Sequence, residues 1–546
     1  MSSTVLKKKS TNSIPAYQGD WGKKQKMHLL RRTQIGVGTK DFKALKDLSL
    51  DQAVFRQISE APIPDPPIHD YEGDTNNPDP DVAIGQTWVT AKYFENNNEA
   101  RRRDSLKGWW IKNAIEHENI HEKMVLFLHS LLVVDRDAYT KVQFQYFDLL
   151  RKYALGNYKV LMKELTINPA MLRYLNGNSN TVKAPDENYG RELQELFTVG
   201  KGINSKYTEE DVREAARVLT GWKTYYNKLL EAGIPQSEFL ANSHDTGDKQ
   251  FSDFYGNTII TGKSGASAGE EELDDLLDMI FDNNETALYV CRRLYTFFVY
   301  TEIDAATEVE VIAPLAQLFR ESDYELKPVI EALFKSEHFY KESNMGALVK
   351  SPMEFVIGLW RGLEVKYTAP DDIGNLYYTN KVLKSNMLNM GMDPGDPPSV
   401  AGWPVYYQAP LYDKSWITTD SITVRAAFSD LLIDKGLWVK NKNTGEVVRV
   451  KANLIELLKG LDNSPDANLM IDEVNELLMG LKISDEEKTY LKKQVLLGGQ
   501  ETDSYWSESW YNHINNPGDE VAKGEVESRL KDLFKALLQL GEVHLM

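Results

Sequence analysis

The sequence has little of what marks secreted, membrane-spanning or nucleic-acid-binding proteins. It contains one cysteine, Cys291, in 546 residues, which excludes an intramolecular disulfide framework. No apolar run approaches the roughly 18 residues that a membrane span needs. Three lysines at positions 7–9 are not followed by an apolar segment, so no secretory signal is visible. We therefore expect a soluble protein that stays in the cytoplasm, with Cys291 buried in the core.

Positive charge is scarce relative to negative charge. The chain has 63 Lys and Arg residues against 81 Asp and Glu residues, a formal net charge of −18. A surface of this kind repels phosphate backbones, so we expect no nucleic-acid partner. The balance of 42% hydrophobic and 26% charged residues is that of an ordinary globular protein. The length is beyond the size at which a single core stops growing, so more than one subdomain is expected.

Helical periodicity dominates the chain from residue 109 onward. The clearest apolar stripe has the spacing i, i+3, i+4 and i+7 and consists of Leu273, Leu276, Leu277 and Ile280. We interpret the acidic residues among them, in the run 270–278, as a solvated helix face. Turn residues predict two short hairpins, at 251–261 and at 438–450, the second turning at 443–445. The predicted fold class is mainly α, with two or three packed helical subdomains and small β-hairpins.

Composition shifts suggest a division of the chain into three parts. A polar N-terminal arm covers residues 1–24, where no apolar periodicity is present. The main domain covers residues 25–430. A C-terminal hairpin and helical region, residues 431–546, is expected to pack on the same fold.

Several sequence blocks occur in a fixed order along the chain. They are HLLRR at 28–32, EKMVLFLH at 122–129, MLRYLN at 171–176, PDENYGRELQELFT at 185–198, CRRLY at 291–295 and PPSVAGWP at 397–404. In this order the sequence resembles the family called domain of unknown function 1800. The resemblance implies a largely helical bacterial protein, often encoded beside a sulfatase-like or phosphatase-like protein of the domain of unknown function 1501 family. It supplies no catalytic residues and no cofactor.

The chain departs from the family pattern at one position. The family usually shows a second histidine two residues after the one matched by His129, and this chain has Leu131 there. Any proposal that relies on a His-x-His pair is weakened by this difference.

The helix predicted to begin near Asn188 carries the first candidate site. Glu192 and Glu195 are three residues apart and so share one helix face, with Arg191 adjacent. Paired carboxylates can hold a metal or divide acid and base roles. The alternative is a structural network in which Arg191 and an arginine of a second helix, such as Arg217, neutralise them.

His244 and Asp245 form the second candidate site, in the turn HDTGDKQF at 244–251. The imidazole could act as a general base or a metal ligand, and the carboxylate could orient it or bind a cation. The alternative is an Asx turn, which accounts for Asp245 equally well.

The string HENIH at 117–121 matches the zinc-protease pattern H-E-x-x-H. In that pattern two histidines one turn apart on a helix bind zinc, and the glutamate activates water. No third ligand follows His117, Glu118 and His121 at a recognised spacing, and a surface helix start is the alternative.

The sequence supports three functional hypotheses. The first is a hydrolase-like enzyme of the bacterial cell envelope with a polar pocket that contains Asn188, Arg191, Glu192, Glu195, His244 and Asp245. The second is a non-catalytic interaction partner of the sulfatase-like neighbour, exported in complex with it, which would expose an apolar patch. The third, minor hypothesis is the zinc protease. We assign no metal ligands and no cofactor from the sequence.

Overall fold

The structure is a computed structural model that describes residues 14–71, 79–92, 98–135, 139–225, 231–441 and 444–546. In the N-terminal third the helices are Lys23–Thr33, Thr39–Leu45, Leu50–Gln57, Asn98–Glu116, His121–Leu131, Thr140–Lys152, Tyr158–Thr166 and Pro169–Tyr174. Capping fixes where several of them begin. The Ser49 side chain accepts a hydrogen bond from the Gln52 backbone, for example, which satisfies a free N–H group of the helix that follows.

The central part contains a further set of packed helices. They are Asn188–Glu192 with a π-helical continuation Leu193–Thr198, Glu209–Val218, Ala268–Asp282, Asn284–Phe298, Ala305–Thr307 with the π-helical turn Glu308–Ile312 and Ala313–Glu321, Leu326–Phe334, Pro352–Gly362 and Ile373–Asn389. The predicted apolar stripe lies in Ala268–Asp282, and all four of its residues are buried. Glu272 of the same helix is buried as well, so the interpretation of the acidic run as a wholly solvated face was wrong at this residue.

The C-terminal helices are Thr419–Ile433, Leu454–Lys459, Ala467–Leu478, Asp485–Tyr490 with a π-helical continuation Leu491–Leu496, Ser504–Asn515 and Glu520–Leu537. The Thr419–Ile433 helix runs across the predicted division after residue 430, and Glu520–Leu537 packs against it. Short 3-10 turns complete the helical structure: Gly177–Ser179, Ala241–Ser243, Asp253–Tyr255, Glu342–Asn344, Pro404–Tyr406, Tyr412–Trp416 and Gly541–His544.

The β-structure of the described residues consists of three two-stranded antiparallel sheets. Lys249–Gln250 pairs with Ile259–Ile260, which confirms the first predicted hairpin; its first strand lies just before the predicted range and its second strand lies within it. Leu437–Lys440 pairs with Val447–Val450, which confirms the second; residue 443 of its predicted turn lies outside the described residues. The third sheet, Trp222–Lys223 with Glu238–Phe239, was not predicted. A mainly α fold with small hairpins is therefore confirmed.

One connected cluster of buried apolar side chains extends from Met27 to Val543. Cys291 lies within it, and burial raises the pKa of its thiol, so the predicted core position is confirmed. Of the predicted polar arm, the described part contacts the body, since the Tyr17 backbone N–H donates to the Lys335 carbonyl at 2.8 Å. Among the residues with described positions, no helix has the length and apolar composition to cross a membrane.

Candidate functional site

The helix that carries Glu192 and Glu195 widens into a π-helix immediately after Glu192. The Thr198 hydroxyl donates to the Leu193 carbonyl at 2.5 Å, five residues back. Two tyrosines stabilise the widened turn from outside: Tyr158 donates to the Phe197 carbonyl and Tyr289 to the Leu196 carbonyl, each at 2.7 Å. Single π-helical turns inside helices occur frequently at functional sites, because they re-aim side chains.

The predicted carboxylates of this helix differ in their partners. Glu195 accepts from Lys201 Nζ at 2.8 Å and from the Tyr207 hydroxyl at 3.4 Å. Glu192 has no hydrogen-bonding side chain among the described residues, and burial together with the charge of Glu195 raises its pKa. The two glutamates are thus close enough to interact, as their sequence spacing indicated.

Asn188 and Arg191 have structural roles at the start of this helix. The Asn188 backbone N–H donates to Asp186 Oδ1 at 2.9 Å. Arg191 donates to Glu209 at 2.7 and 2.9 Å and to Glu187 at 3.1 Å, so its charge is neutralised by acids other than Glu192 and Glu195.

His244 belongs to a closed polar network. Its Nε2 lies 3.1 Å from Glu272 Oε1, and its Nδ1 lies 3.0 Å from the Thr220 carbonyl. Glu272 also accepts from Lys249 Nζ at 2.6 Å, and the side chains of all three ionisable residues are at most 1% exposed. Burial alone would raise the pKa of Glu272, but the hydrogen bonds from His244 and Lys249 outweigh it and lower that pKa. Both ring nitrogens therefore face oxygen acceptors, and the imidazole is not available as a base for a substrate.

Asp245 forms an ion pair with Arg217, the arginine that was expected to neutralise Glu192 and Glu195. Arg217 donates to its two carboxylate oxygens at 2.8 and 3.1 Å, and the same guanidinium bonds Glu214. Arg217 lies eight residues beyond Glu209 on one helix, a separation of about 12 Å. The predicted site residues thus form two clusters, Arg191–Glu192–Glu195 and His244–Asp245, rather than the single pocket that the sequence suggested.

Glu195 lines a cavity of about 500 Å³. We call it the Arg293 cavity; its walls are formed by Leu131, Glu195, Leu196, Val199, Lys201, Gly202, Glu285, Tyr289, Arg292, Arg293, Thr296, Ala401, Tyr406, Tyr407 and Tyr412. Three of the sequence blocks that carry the family resemblance, at 185–198, 291–295 and 397–404, meet at this cavity. The cavity itself was not predicted. The sequence feature that could have indicated it is the polar stripe of the Asn284–Phe298 helix, whose residues have helical spacing: Tyr289, Arg292, Arg293 and Thr296.

The two arginines of the cavity have different environments. Arg292 is neutralised by Glu285 at 2.5 Å and Glu308 at 2.6 Å. Arg293 donates from Nη1 to the Tyr406 carbonyl at 3.1 Å, and within the described part of the chain no carboxylate forms an ion pair with it. A guanidinium has five N–H donors, so Arg293 retains donors for an anionic group.

Leu131, the residue at which this chain departs from the family pattern, lines the cavity. The resemblance places a histidine at this position. His129 itself is fully buried, its Nδ1 is 2.9 Å from the Tyr146 hydroxyl, and its ring packs against Trp110 and Trp403. Burial lowers the pKa of His129 to about 3, so this imidazole is neutral and acts in packing.

The H-E-x-x-H string does not lie on one helix. The helix Asn98–Glu116 ends before His117, and the next helix begins at His121. Glu118 forms ion pairs with Lys40 at 3.0 Å and Arg56 at 3.3 Å instead of facing the histidines. The rings of His117 and His121 are 6.4 Å apart on the wall of a second cavity, of about 520 Å³. The described residues contain no group of three His, Cys, Asp or Glu side chains placed to hold a metal. The helical zinc-protease geometry is therefore not formed.

Comparison with known proteins identifies one family. The family described as "Protein of unknown function (DUF1800)" matches residues 28–534, nearly the whole chain. No curated protein and no solved structure matches the chain.

Proposed function

Because this chain belongs to the DUF1800 family of proteins of unknown function, we propose its activity from its own site: it is a hydrolase-like enzyme that binds a small anionic ring compound in the Arg293 cavity. The cell-envelope location that the first hypothesis gives this activity stays a prediction. The observation that carries the proposal is the guanidinium of Arg293, which no carboxylate of the described residues neutralises, in a cavity of ligand size.

Arg293 is the proposed anchor for the negative charge. Its neighbour Arg292 is saturated by two glutamates, whereas Arg293 has one backbone acceptor. A charged hydrogen bond contributes about 1.5–3 kcal/mol, which corresponds to about 10- to 100-fold in affinity. A bidentate contact with a carboxylate, sulfate or phosphate also fixes the orientation of the ligand.

The tyrosines of the cavity suit a flat ligand body. Tyr289, Tyr406, Tyr407 and Tyr412 all line the walls, and Tyr407 is 38% exposed. Aromatic side chains bind rings through their faces and offer hydroxyl groups at their edges. An anionic sugar or an aryl ester therefore matches this lining better than an extended aliphatic chain does.

Glu195 is the proposed proton acceptor. It is the one residue of the sequence-derived candidates that reaches this cavity, and its carboxylate accepts a hydrogen bond from Lys201 Nζ at 2.8 Å. In the proposed reaction the oxygen of a water bonds to the phosphorus, sulfur or anomeric carbon of the substrate while Glu195 takes a proton from that water. The bond to the leaving oxygen breaks, and the leaving group departs with its electron pair, as 4-nitrophenolate in the chromogenic substrates. Glu192, whose pKa is raised, lies beside it as a second carboxyl group.

A panel of chromogenic esters and glycosides tests the proposal. The purified protein is assayed with 4-nitrophenyl phosphate, 4-nitrophenyl sulfate and 4-nitrophenyl β-glucuronide, and with the neutral 4-nitrophenyl β-glucoside. We expect turnover of an anionic substrate, a KM raised about 10-fold or more in Arg293→Met, and a kcat lowered about 100-fold in Glu195→Gln. Arg213→Met is the matched control, because Arg213 is exposed and pairs with Glu210 away from the cavity. The proposal is contradicted if wild type and Arg293→Met turn over the anionic substrates equally, or if wild type turns over no anionic substrate.

A further inference from the structure

Five basic side chains surround Glu354 in the interior, at a place that the proposed reaction does not use. We call them the basic cluster: Arg31, Arg32, Lys123, Lys350 and Arg425. Four are buried and Lys350 is partly buried. They come from the helices Lys23–Thr33, His121–Leu131 and Thr419–Ile433 and from the residues just before Pro352–Gly362. The cluster therefore joins the N-terminal helix to three elements that are distant in sequence.

The cluster has more positive than negative charge. Glu354 is hydrogen-bonded by Lys123 and by the Ser351 backbone, and the charges of Arg32, Lys350 and Arg425 also act on it. The second carboxylate near the cluster, Asp413, accepts from the Val349 backbone at 2.6 Å, and burial raises its pKa. A third carboxylate, Glu476, acts on Arg31, so among the described residues three carboxylates face five cations. Even with Lys350 neutral, four buried cations would face these three carboxylates, and buried charge without a partner is strongly unfavourable.

Several donors of the cluster have no acceptor. Arg32 donates from Nη2 to the Asn344 carbonyl at 2.6 Å, and Arg425 from Nη2 to the Lys350 carbonyl at 2.8 Å. The Nε and Nη1 atoms of both arginines are buried without a hydrogen-bond partner among the described residues. Burial lowers the pKa of Arg31, Arg32 and Arg425 to about 10 and that of Lys350 to about 7, so neighbouring acids do not offset the burial.

A small cavity of about 30 Å³ lies at the edge of this cluster. Arg31, Lys350, Glu354 and Phe355 are among its lining residues. Arg425 adjoins it, because its guanidinium lies over the Phe355 ring at 4.8 Å. A single water needs about 10–15 Å³ measured in this way, so the space admits about two water-sized spheres. A phosphate ester or a sugar acid is too large for it.

We propose that the basic cluster binds one monatomic anion, chloride in the cell, in this cavity. The anion accepts hydrogen bonds from Arg31 and Lys350, which also donate to the Leu477 and Val543 carbonyls, and it offsets the surplus charge of Arg32 and Arg425, which lie behind the cavity wall. It contacts side chains from the N-terminal helix and the segment before Pro352–Gly362. The Ala467–Leu478 helix, which supplies Leu477 and Leu478 to the same wall, is held against them. The bound anion is thus a structural ligand of the fold, separate from the Arg293 cavity.

Bromide replaces chloride and can be located by its anomalous scattering, so crystals of the wild-type protein grown with sodium bromide test the proposal without a variant. An anomalous peak beside Arg31 and Lys350 supports it, and a map without a peak there overturns it.

Thermal unfolding supplies an independent test in solution. At constant ionic strength, replacing gluconate by chloride should raise Tm saturably, by about 2 °C at a hundredfold excess over Kd for a chain of this length. Lys350→Met should lose this rise, whereas Lys482→Met, at an 85% exposed position, should keep it. Arg425→Lys, which retains the charge, checks that the cluster still folds. A wild-type Tm that is equal in the two salts overturns the proposal.

Discussion

Gly200 supports the wall of the Arg293 cavity, and its replacement by alanine tests the packing there. It follows the π-helical turn, its φ is +76°, and its N–H donates to the Gln194 carbonyl at 3.0 Å. A Cβ atom at this position would lie 2.3 Å from Cδ2 and 2.6 Å from Cε2 of Tyr289. No such contact is tolerated, so the ring must move. Its movement strains the 2.7 Å hydrogen bond from Tyr289 to the Leu196 carbonyl.

Two costs add in Gly200→Ala. A non-glycine residue in the left-handed region costs about 1–2 kcal/mol. Displacing a packed ring costs about 1–3 kcal/mol more. The free energy of unfolding should therefore fall by about 2–5 kcal/mol. Gly256→Ala is the matched control, since Gly256 has a φ of +67° and a Cβ atom added there would meet no heavy atom within 4 Å. It should show the backbone cost alone.

Urea unfolding followed by tryptophan fluorescence measures both variants. We expect Gly200→Ala to be less stable than Gly256→Ala. We also expect it to bind the anionic substrates more weakly than wild type does, because Tyr289 lines the cavity. If the two variants lose the same stability, Tyr289 does not pack on Gly200 and this description of the cavity wall is refuted.

Two further predictions concern buried ionisable groups. Lys249→Met leaves Glu272 buried without its ammonium partner, so the free energy of unfolding measured in urea should fall by about 3–5 kcal/mol. Lys201 is exposed, so Lys201→Met should change this free energy little. Equal losses in the two variants would contradict the His244–Glu272–Lys249 network. Burial lowers the pKa of His129 and of His544 to about 3, below the usual 6.5 of the unfolded chain. Their contribution to stability is complete above pH 6.5 and is lost as the pH falls towards 3, by about 1.4 kcal/mol per pH unit for each group. The free energy of unfolding, measured from pH 7 to pH 4, should fall with this slope. In His129→Gln the part of the slope that the two histidines contribute should be about half as large, and a slope equal to that of the wild type would contradict the prediction.

Local features of the fold could be read from the sequence. The apolar stripe of Leu273, Leu276, Leu277 and Ile280 extends over about two helical turns, so neighbouring residues of the sequence are sufficient to identify it. The two hairpins were found for the same reason. The short pairing of Trp222–Lys223 with Glu238–Phe239 has no turn signal next to its strands, and it was missed.

The site depends on contacts between distant residues, which a single sequence does not contain. Glu195 was identified from local spacing, but Arg217, which was expected to neutralise Glu192 and Glu195, pairs with Asp245 and Glu214 instead. Glu272 was assigned to solvent because its neighbours are acidic, and only the fold brings His244 and Lys249 to it. Arg293 reaches the cavity through the packing of its helix against the π-helical turn. The division of the chain at residues 24 and 430 stays a prediction.

Binding of a matched pair of ligands tests the central claim most directly. 4-Nitrophenyl β-glucuronide has a carboxylate where 4-nitrophenyl β-glucoside has a hydroxymethyl group, and the two are otherwise identical. Isothermal titration calorimetry gives the Kd of each ligand for wild type and for Arg293→Met. If Arg293 anchors the anion, wild type prefers the glucuronide by about 10-fold or more, and the variant loses that preference. No preference in wild type, or a preference that persists in Arg293→Met, would contradict the assignment of the Arg293 cavity as an anion-binding site.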